Sequence, residues 1–364
     1  MNDLAASPQN RFGTNLVQSM FTLAEEQLVT TAPVDRQLGC LRVETRSSSR
    51  DADRLLTQAF GAFPATHSPE TSRRMPAFRV DVLDGVSLDD EPDLDVLVHV
   101  GQASTQREPG ARARWHDGER RILAYADTDA IAVFDAHARR AVMAYASVAT
   151  LPWYERAAPM RDLLHWMHMG EGTVLIHAAA VAVEAAGVLI VGPGGRGKST
   201  LATTALLQGF DFAGDDYVAV EPKALLAHGL YRSVKVHASD APRYTSHLGS
   251  GEAEQPDADG KIPLFLKDEP AGFRGGMPLV AIAVPSIGAP FLGWQPTSKV
   301  QALKALAPST LFQTSGDRER VLAACASLVR NLPTVAWNPG PLDDGYEARV
   351  VEQLRAIAVH GASA

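Results

Sequence analysis

Cysteine is nearly absent from this chain of 364 residues, with only Cys40 and Cys325 present. The two are far apart and neither sits in a metal-ligand spacing. A disulfide framework and a cysteine-built metal site are therefore not expected, and reduced thiols in a cytoplasmic protein are. Basic residues are outnumbered, 34 Lys and Arg against 42 Asp and Glu, for a net charge of -8. That balance argues against a general nucleic-acid binder, because phosphate backbones attract the opposite sign. It suits a neutral or basic peptide partner. No long uncharged apolar run exists either. The most membrane-like window, Thr173 to Val191, contains His177, Glu184 and Gly187, and reads as two strands joined by a turn near Glu184–Gly187 rather than as a membrane span. Met1 to Asn15 is polar and lacks the charged-then-apolar order of a secretory signal, and no internal repeat is evident.

What is present is ordinary for a soluble globular protein, with 46% hydrophobic and 21% charged residues. The length suits two domains, each able to bury a core. The apolar spacing at Leu16, Met20, Phe21, Leu23 and Ala24 predicts an amphipathic helix over Asn15–Leu28. Residues 44–75 read as a mobile connection with one helix, Asp51 to Phe60. From Phe78 to Ala146 short strand signals follow (FRVDVL, LDVLVHV, RILAYA, AIAVFD, AVMAYA), a mainly antiparallel β-rich module in which His99, His116 and His137 show no metal spacing. A helix over Pro159–Met169 leads into the second domain. We therefore expect a β-rich α+β module over 1–165, regulatory or substrate-recognising, and an α/β domain over 166–364.

The second domain is organised around Gly192-Pro193-Gly194-Gly195-Arg196-Gly197-Lys198-Ser199, a phosphate-binding loop that satisfies G-x-x-x-x-G-K-[ST] without a mismatch. Gly187–Val191 before it has the character of a buried parallel strand. Ser199–Gln208 after it reads as a helix closing on Gly209. Backbone N–H groups in such a loop form a nest at the positive end of a helix, which receives a polyphosphate. Lys198 is then expected on the β- and γ-phosphates, the Ser199 hydroxyl on Mg²⁺, and Thr200 nearby as a weaker candidate.

Asp215-Asp216 follow Ser199 by sixteen and seventeen residues, room for one helix and a return to the sheet. Two carboxylates beside a magnesium nucleotide can divide the labour, one orienting the metal and the other taking a proton from an attacking hydroxyl. His177, alone in an apolar run, reads by itself as a core histidine. Arg232 and Lys235, in the strand-like Tyr231–Val236, could neutralise a transferring phosphoryl group. Lys261, after the acidic and glycine-bearing stretch Ser246–Gly260, and Arg274, among glycines, could close over phosphate. Strands or helices are expected at Met277–Pro285, Lys299–Leu306, Asp317–Leu332, Thr334–Trp337 and Gly345–Val359, which together make a mixed or parallel sheet with helical cover.

His177, Gly197-Lys198-Ser199 and the segment Gly209–Asp216 together resemble the catalytic core of the HPr kinase/phosphorylase family and its HPr-kinase-like relatives, which are related in fold to phosphoenolpyruvate carboxykinases. About fifty residues carry the likeness strongly. From Tyr231 to Leu311 it is looser, through YRSVK and LAPSTLF, and is shared with serine kinases associated with peptide biosynthesis. The resemblance implies a P-loop kinase fold. It implies that Asp216 or Asp215 is the base, that His177 assists it and that Ser199 holds magnesium. We assign the base to Asp216 and the metal side to Asp215. Pro193, Arg196 and Thr200 depart from the usual pattern. The glycine-rich signature tied to phosphate removal has no counterpart, which counts against phosphorylase activity and against HPr as substrate.

The expected function is therefore a cytoplasmic kinase using ATP and Mg²⁺ to phosphorylate a hydroxyl, a serine of a peptide or protein, with no nucleic-acid or membrane partner and with a homo-oligomer left open. A kinase of a small hydroxyl metabolite such as free serine, and a non-catalytic ATP-binding regulator, are the rival readings.

Overall fold

The computed structural model describes residues 8–61, 77–86, 111–125, 127–244, 248–249, 256, 260–267 and 276–364. The expected strand LDVLVHV with His99, most of the stretch 246–260, and Arg274 lie outside them. The fold is mixed α/β with several sheets, and the chain divides into two compact units, Met1–Gly170 and Glu171–Ala364. No helix among the described residues is long and apolar enough to cross a membrane.

The first unit opens with helix α1 (Pro8–Gln27) and is built on a seven-stranded sheet. Its strands are β1 (Val34–Leu38), β2 (Leu41–Ser47), β3 (Ala77–Asp84), β4 (Ala111–His116), β5 (Arg120–Tyr125), β6 (Ala130–Asp135) and β7 (Arg140–Tyr145), in the spatial order β1-β2-β3-β7-β6-β5-β4. The pairs β2/β3 and β3/β7 are parallel and the rest antiparallel. Parallel neighbours need a crossover, and helix α2 (Arg50–Phe60) lies in the connection between β2 and β3. Ser49 caps α2 by accepting from the Ala52 N–H, and Asp51 and Asp53 oppose the helix dipole.

The expected connection over 44–75 needs correction at its start, because residues 44–47 belong to β2. Their polar look misleads, since Arg46 is buried against Asp81 rather than solvated. Strand alternation then makes two apolar faces. Ile131 and Val133 meet Leu16, Val17, Met20 and Phe21 of α1, while Phe134, of opposite parity, packs its ring 6.3 Å from Trp166. Trp166 lies on helix α4 (Arg161–Gly170), which follows the short α3 (Trp153–Ala157).

The second unit begins with β8 (Val174–Ile176), β9 (Ala178–Val183) and β10 (Ala186–Val191). β9 and β10 form a hairpin whose two turn residues, Glu184 and Ala185, both take positive φ (49° and 66°), as a right-twisting two-residue turn requires. After helix α5 (Lys198–Leu207) come β11 (Asp211–Gly214), β12 (Val218–Glu221) and β13 (Leu226–His228). β14 (Ser233–His237), the short helix α6 (Ala241–Tyr244), β15 (Leu248–Gly249) and β16 (Lys261–Leu266) follow.

The nine-residue β17 (Met277–Pro285) is the spine of the main sheet. It runs parallel to β10 on one side. On the other its first residues pair with β13 and its last four with β19 (Thr334–Asn338), which in turn pairs with β18 (Gly293–Pro296). The order from β17 outward is β10-β9-β11 one way and β13-β12-β8 the other. β14, β16 and β15 form a separate three-stranded sheet.

Helices α7 (Lys299–Gln313), α8 (Arg318–Asn331) and α9 (Tyr346–Ala362) complete the unit. Leu201, Ala202 and Ala205 of α5, and Val350, Leu354 and Ile357 of α9, enclose one core with Val188, Ile190, Ala281, Ala283 and Val335. Each large side chain fully buried there contributes about 1.5–3 kcal/mol.

Candidate active site

Sheet register assembles the site. β8 and β9 are one extended run broken at His177, and the segment carrying β11 and β12 runs antiparallel beside it, broken at Asp215–Tyr217. Ile176 pairs with Val218 on one side of the break and Ala180 with Gly214 on the other. His177 is thereby set opposite the aspartate pair. β10 then pairs with β9 so that Val191 faces Ala178, which starts the phosphate loop at Gly192 directly beside His177. Three neighbouring segments of the chain meet through hydrogen-bond ladders alone.

The loop has the conformation that its glycines suggest. Gly195 and Gly197 take φ of 75° and 84°, in the left-handed region open to glycine, and Gly197 is the N-cap of α5. Pro193 to Arg196 are exposed, and a side chain added at Gly194 or Gly195 would meet nothing within 4 Å, so the crest faces open space. Lys198 is 6% exposed. It folds back, its Nζ donating to the carbonyls of Gly192 at 2.8 Å and Pro193 at 3.2 Å. Burial lowers its pKa, against the pull of Asp215 and Asp216. Thr200 is half-buried on the first turn of α5.

The two aspartates differ sharply. Asp215 is 1% exposed, and its Oδ2 accepts from the Lys235 N–H at 3.1 Å. Its buried Oδ1 accepts no hydrogen bond of normal geometry. Burial, then the neighbouring Asp216 charge, push its pKa up, opposed by the Lys235 N–H and the Ser199 hydroxyl. Asp216 stands at φ 74°, a left-handed conformation that Asp tolerates better than most residues. Its Oδ1 lies 3.2 Å from His177 Nδ1 and its Oδ2 2.5 Å from Lys235 Nζ. Burial would raise the Asp216 pKa, but Lys235 and then His177 outweigh it and hold the carboxyl well below the usual range. Alternation along β14 explains Lys235: Val234 and Val236 enter the core, so the residue between them faces the carboxylates. Its own pKa is raised, as Asp216 overcomes the effect of burial.

Around this cluster stand residues that sequence reasoning did not single out. The His177 N–H donates to Thr310 Oγ1 at 3.2 Å. The Tyr217 hydroxyl donates to Gln313 Oε1 at 2.7 Å, and the Tyr217 ring meets the His177 ring edge-on at 5.6 Å. Thr310 and Gln313 lie on the last turns of α7. Only the loose likeness at LAPSTLF, which contains Thr310, hinted at them.

Of the remaining candidates, Lys261 starts β16 opposite His237 and is near enough for its charge to depress the Lys198 pKa. Arg232 does not join the carboxylates; it donates to the carbonyls of Leu266 and Lys267 at 2.7 and 2.9 Å.

Among the described residues no three His, Cys, Asp or Glu side chains converge as a metal site. A magnesium ion needs no such cage, since it keeps several waters and takes one or two protein oxygens plus substrate phosphates. Asp215, with an unpartnered buried oxygen and the Ser199 hydroxyl beside it, fits that demand. No protein-family model matches the chain, and no curated protein matches its sequence.

Proposed function

We propose that residues 171–364 form a P-loop kinase of the HPr-kinase-like type, which transfers the γ-phosphoryl group of ATP to the hydroxyl of a serine in a peptide or protein. The observation that carries this reading is the convergence, beside a complete phosphate loop, of two carboxylates with opposite environments. Asp215 adjoins the loop serine and keeps an oxygen unpartnered, while Asp216 contacts a histidine and a lysine. Two carboxylates set apart by their surroundings can divide metal binding from proton abstraction.

In this reading the N–H groups of Gly194 to Lys198 cradle the polyphosphate. Lys198, now held by two loop carbonyls, turns to the β- and γ-phosphates. Ser199 and Asp215 would hold Mg²⁺, which would neutralise phosphate charge. Asp216 takes the acceptor's hydroxyl proton; the acceptor oxygen forms its bond to phosphorus as the bond to the bridging oxygen of ADP breaks. Lys235 has two partners in turn. It holds Asp216 ionised before substrate arrives, and on moving to the transferring phosphoryl it releases a more basic carboxylate. His177 stays on Asp216 Oδ1, oriented by Thr310 and Tyr217.

The test is transfer of labelled γ-phosphate from ATP with Mg²⁺ to serine-containing peptides and to free serine. Label on a peptide serine is expected. Label on free serine alone would assign the protein to metabolite kinases, and ATP binding with no acceptor ever labelled would assign it to regulators.

A further inference from the structure

Loops following β17 and β19 hold large apolar side chains out in solvent near the phosphate loop. β10, β17 and β19 are parallel, so the loops after them share one edge of the sheet. Ile287, Leu292 and Leu342 are 48%, 64% and 63% exposed. Scattered singly, such residues call for no explanation, but here the two loops that carry them meet, and one of them borders the phosphate loop. A Cβ on Gly197 would lie 3.5 Å from Ile287 Cγ1, so Ile287 borders the phosphate loop itself. Leu292 Cδ1 lies 2.7 Å from where a Gly340 Cβ would stand, on the loop that carries Leu342.

Both loops are fixed in place. Asn338 Nδ2 donates to the carbonyls of Ala289 and Phe291 at 3.0 and 2.6 Å. Arg349 donates to the carbonyls of Pro339 and Pro341 and pairs with Asp343 at 2.9 Å. Apolar groups anchored in a wet position carry a free-energy cost that is relieved when something apolar covers them.

We propose that this shelf receives the base of the nucleotide, a flat and uncharged heterocycle with apolar faces, while the phosphates occupy residues 192–199. The proposal rests on the ATP reading above. The carboxyl ends of parallel strands are where open α/β sheets take their ligands, and a shelf that begins at Gly197 is within reach of a nucleoside whose phosphates lie on that loop.

The test is calorimetric titration of the full chain, in Mg²⁺, with ATP and with inorganic tripolyphosphate, for the wild type and for Leu292→Ser combined with Leu342→Ser. Wild type is expected to prefer ATP by about tenfold or more. The double variant should bind tripolyphosphate as wild type does, which also reports that it is folded, with its ATP preference cut to within about twofold. Should it fail to fold, Ile287→Ala decides the matter, with an expected loss of about threefold in the preference. An undiminished preference in the variants would place the base elsewhere and overturn the proposal. Equal affinity of wild type for both ligands would overturn it too, while leaving the phosphate loop in place. If wild type binds neither, the nucleotide reading falls and the shelf with it.

Discussion

Asp81 in the first unit and Asp215 in the second are both buried carboxylates, 0% and 1% exposed, yet their surroundings are opposite. Around Asp81 both carboxylate oxygens are partnered. Its Oδ1 accepts from Arg46 at 2.7 Å and its Oδ2 from Arg140 at 2.8 Å, Arg79 stands 3.7 Å away, and Glu25 of α1 shares all three arginines. This network ties a helix to a sheet. Around Asp215 the arrangement is unfinished, with a second carboxylate next in sequence, one oxygen that has the Ser199 hydroxyl beside it but accepts no hydrogen bond of normal geometry, and nearby Lys198 satisfied by backbone carbonyls. Buried charge alone does not mark a site. What marks it is buried charge whose partners the chain does not itself supply.

The contrast can be broken at several points. The largest effect is expected from Asp216→Asn, which should lower phosphoryl transfer by about a thousandfold while leaving nucleotide affinity within about twofold. Single-turnover label transfer beside calorimetry measures both, and retained turnover would pass the base role to Asp215. Next comes Asp81→Asn. Removing that charge leaves the arginines around it uncompensated and should destabilise the protein by about 3 kcal/mol, with transfer per folded molecule unchanged. Denaturant midpoints at constant slope would show it. The same substitution at Asp215 has the opposite sign, because it removes the like charge beside Asp216 and the cost of burying a carboxylate. We expect Asp215→Asn to stabilise by about 1 kcal/mol. A loss as large as that at Asp81 would make both clusters structural.

The smallest effect is in the pH dependence. Burial and Asp216 raise the Asp215 pKa above its ordinary 3.8, so the native state keeps a proton there that the unfolded chain releases. Stability from this group is full below 3.8 and is lost as pH climbs through the raised value. Asp216 has its pKa lowered, so its contribution is present above 3.8 and is lost only as pH falls toward the lowered value. The gain from Asp215→Asn should therefore be near zero in acid and grow toward neutral pH. A gain that does not vary with pH would mean that proton linkage at Asp215 is absent.

Much of this candidate site was legible in the sequence because its parts are local. The loop motif, the flanking strand and helix, the Glu184–Ala185 turn and the aspartate pair all lie within 48 residues, 173–220. Lys235 was seen only as a cation on a strand face, because nothing local says that β14 will dock its backbone onto Asp215 and its side chain onto Asp216. Thr310 and Gln313 come from a helix about ninety residues beyond the aspartates, a distance at which only tertiary packing decides contacts. In the first unit Arg46 made a strand look like a connection, since a sequence shows the charge but not the buried Asp81 that neutralises it.

The most direct test of the account is the affinity of the wild type for ATP, measured calorimetrically with Mg²⁺ and with a chelator, beside Asp215→Asn. If Asp215 is an unfinished ligand set, Mg²⁺ should tighten ATP binding to the wild type by about tenfold or more, and the variant should lose that difference while gaining stability. Equal ATP affinity with and without Mg²⁺, or a variant that keeps the full magnesium effect, would contradict it.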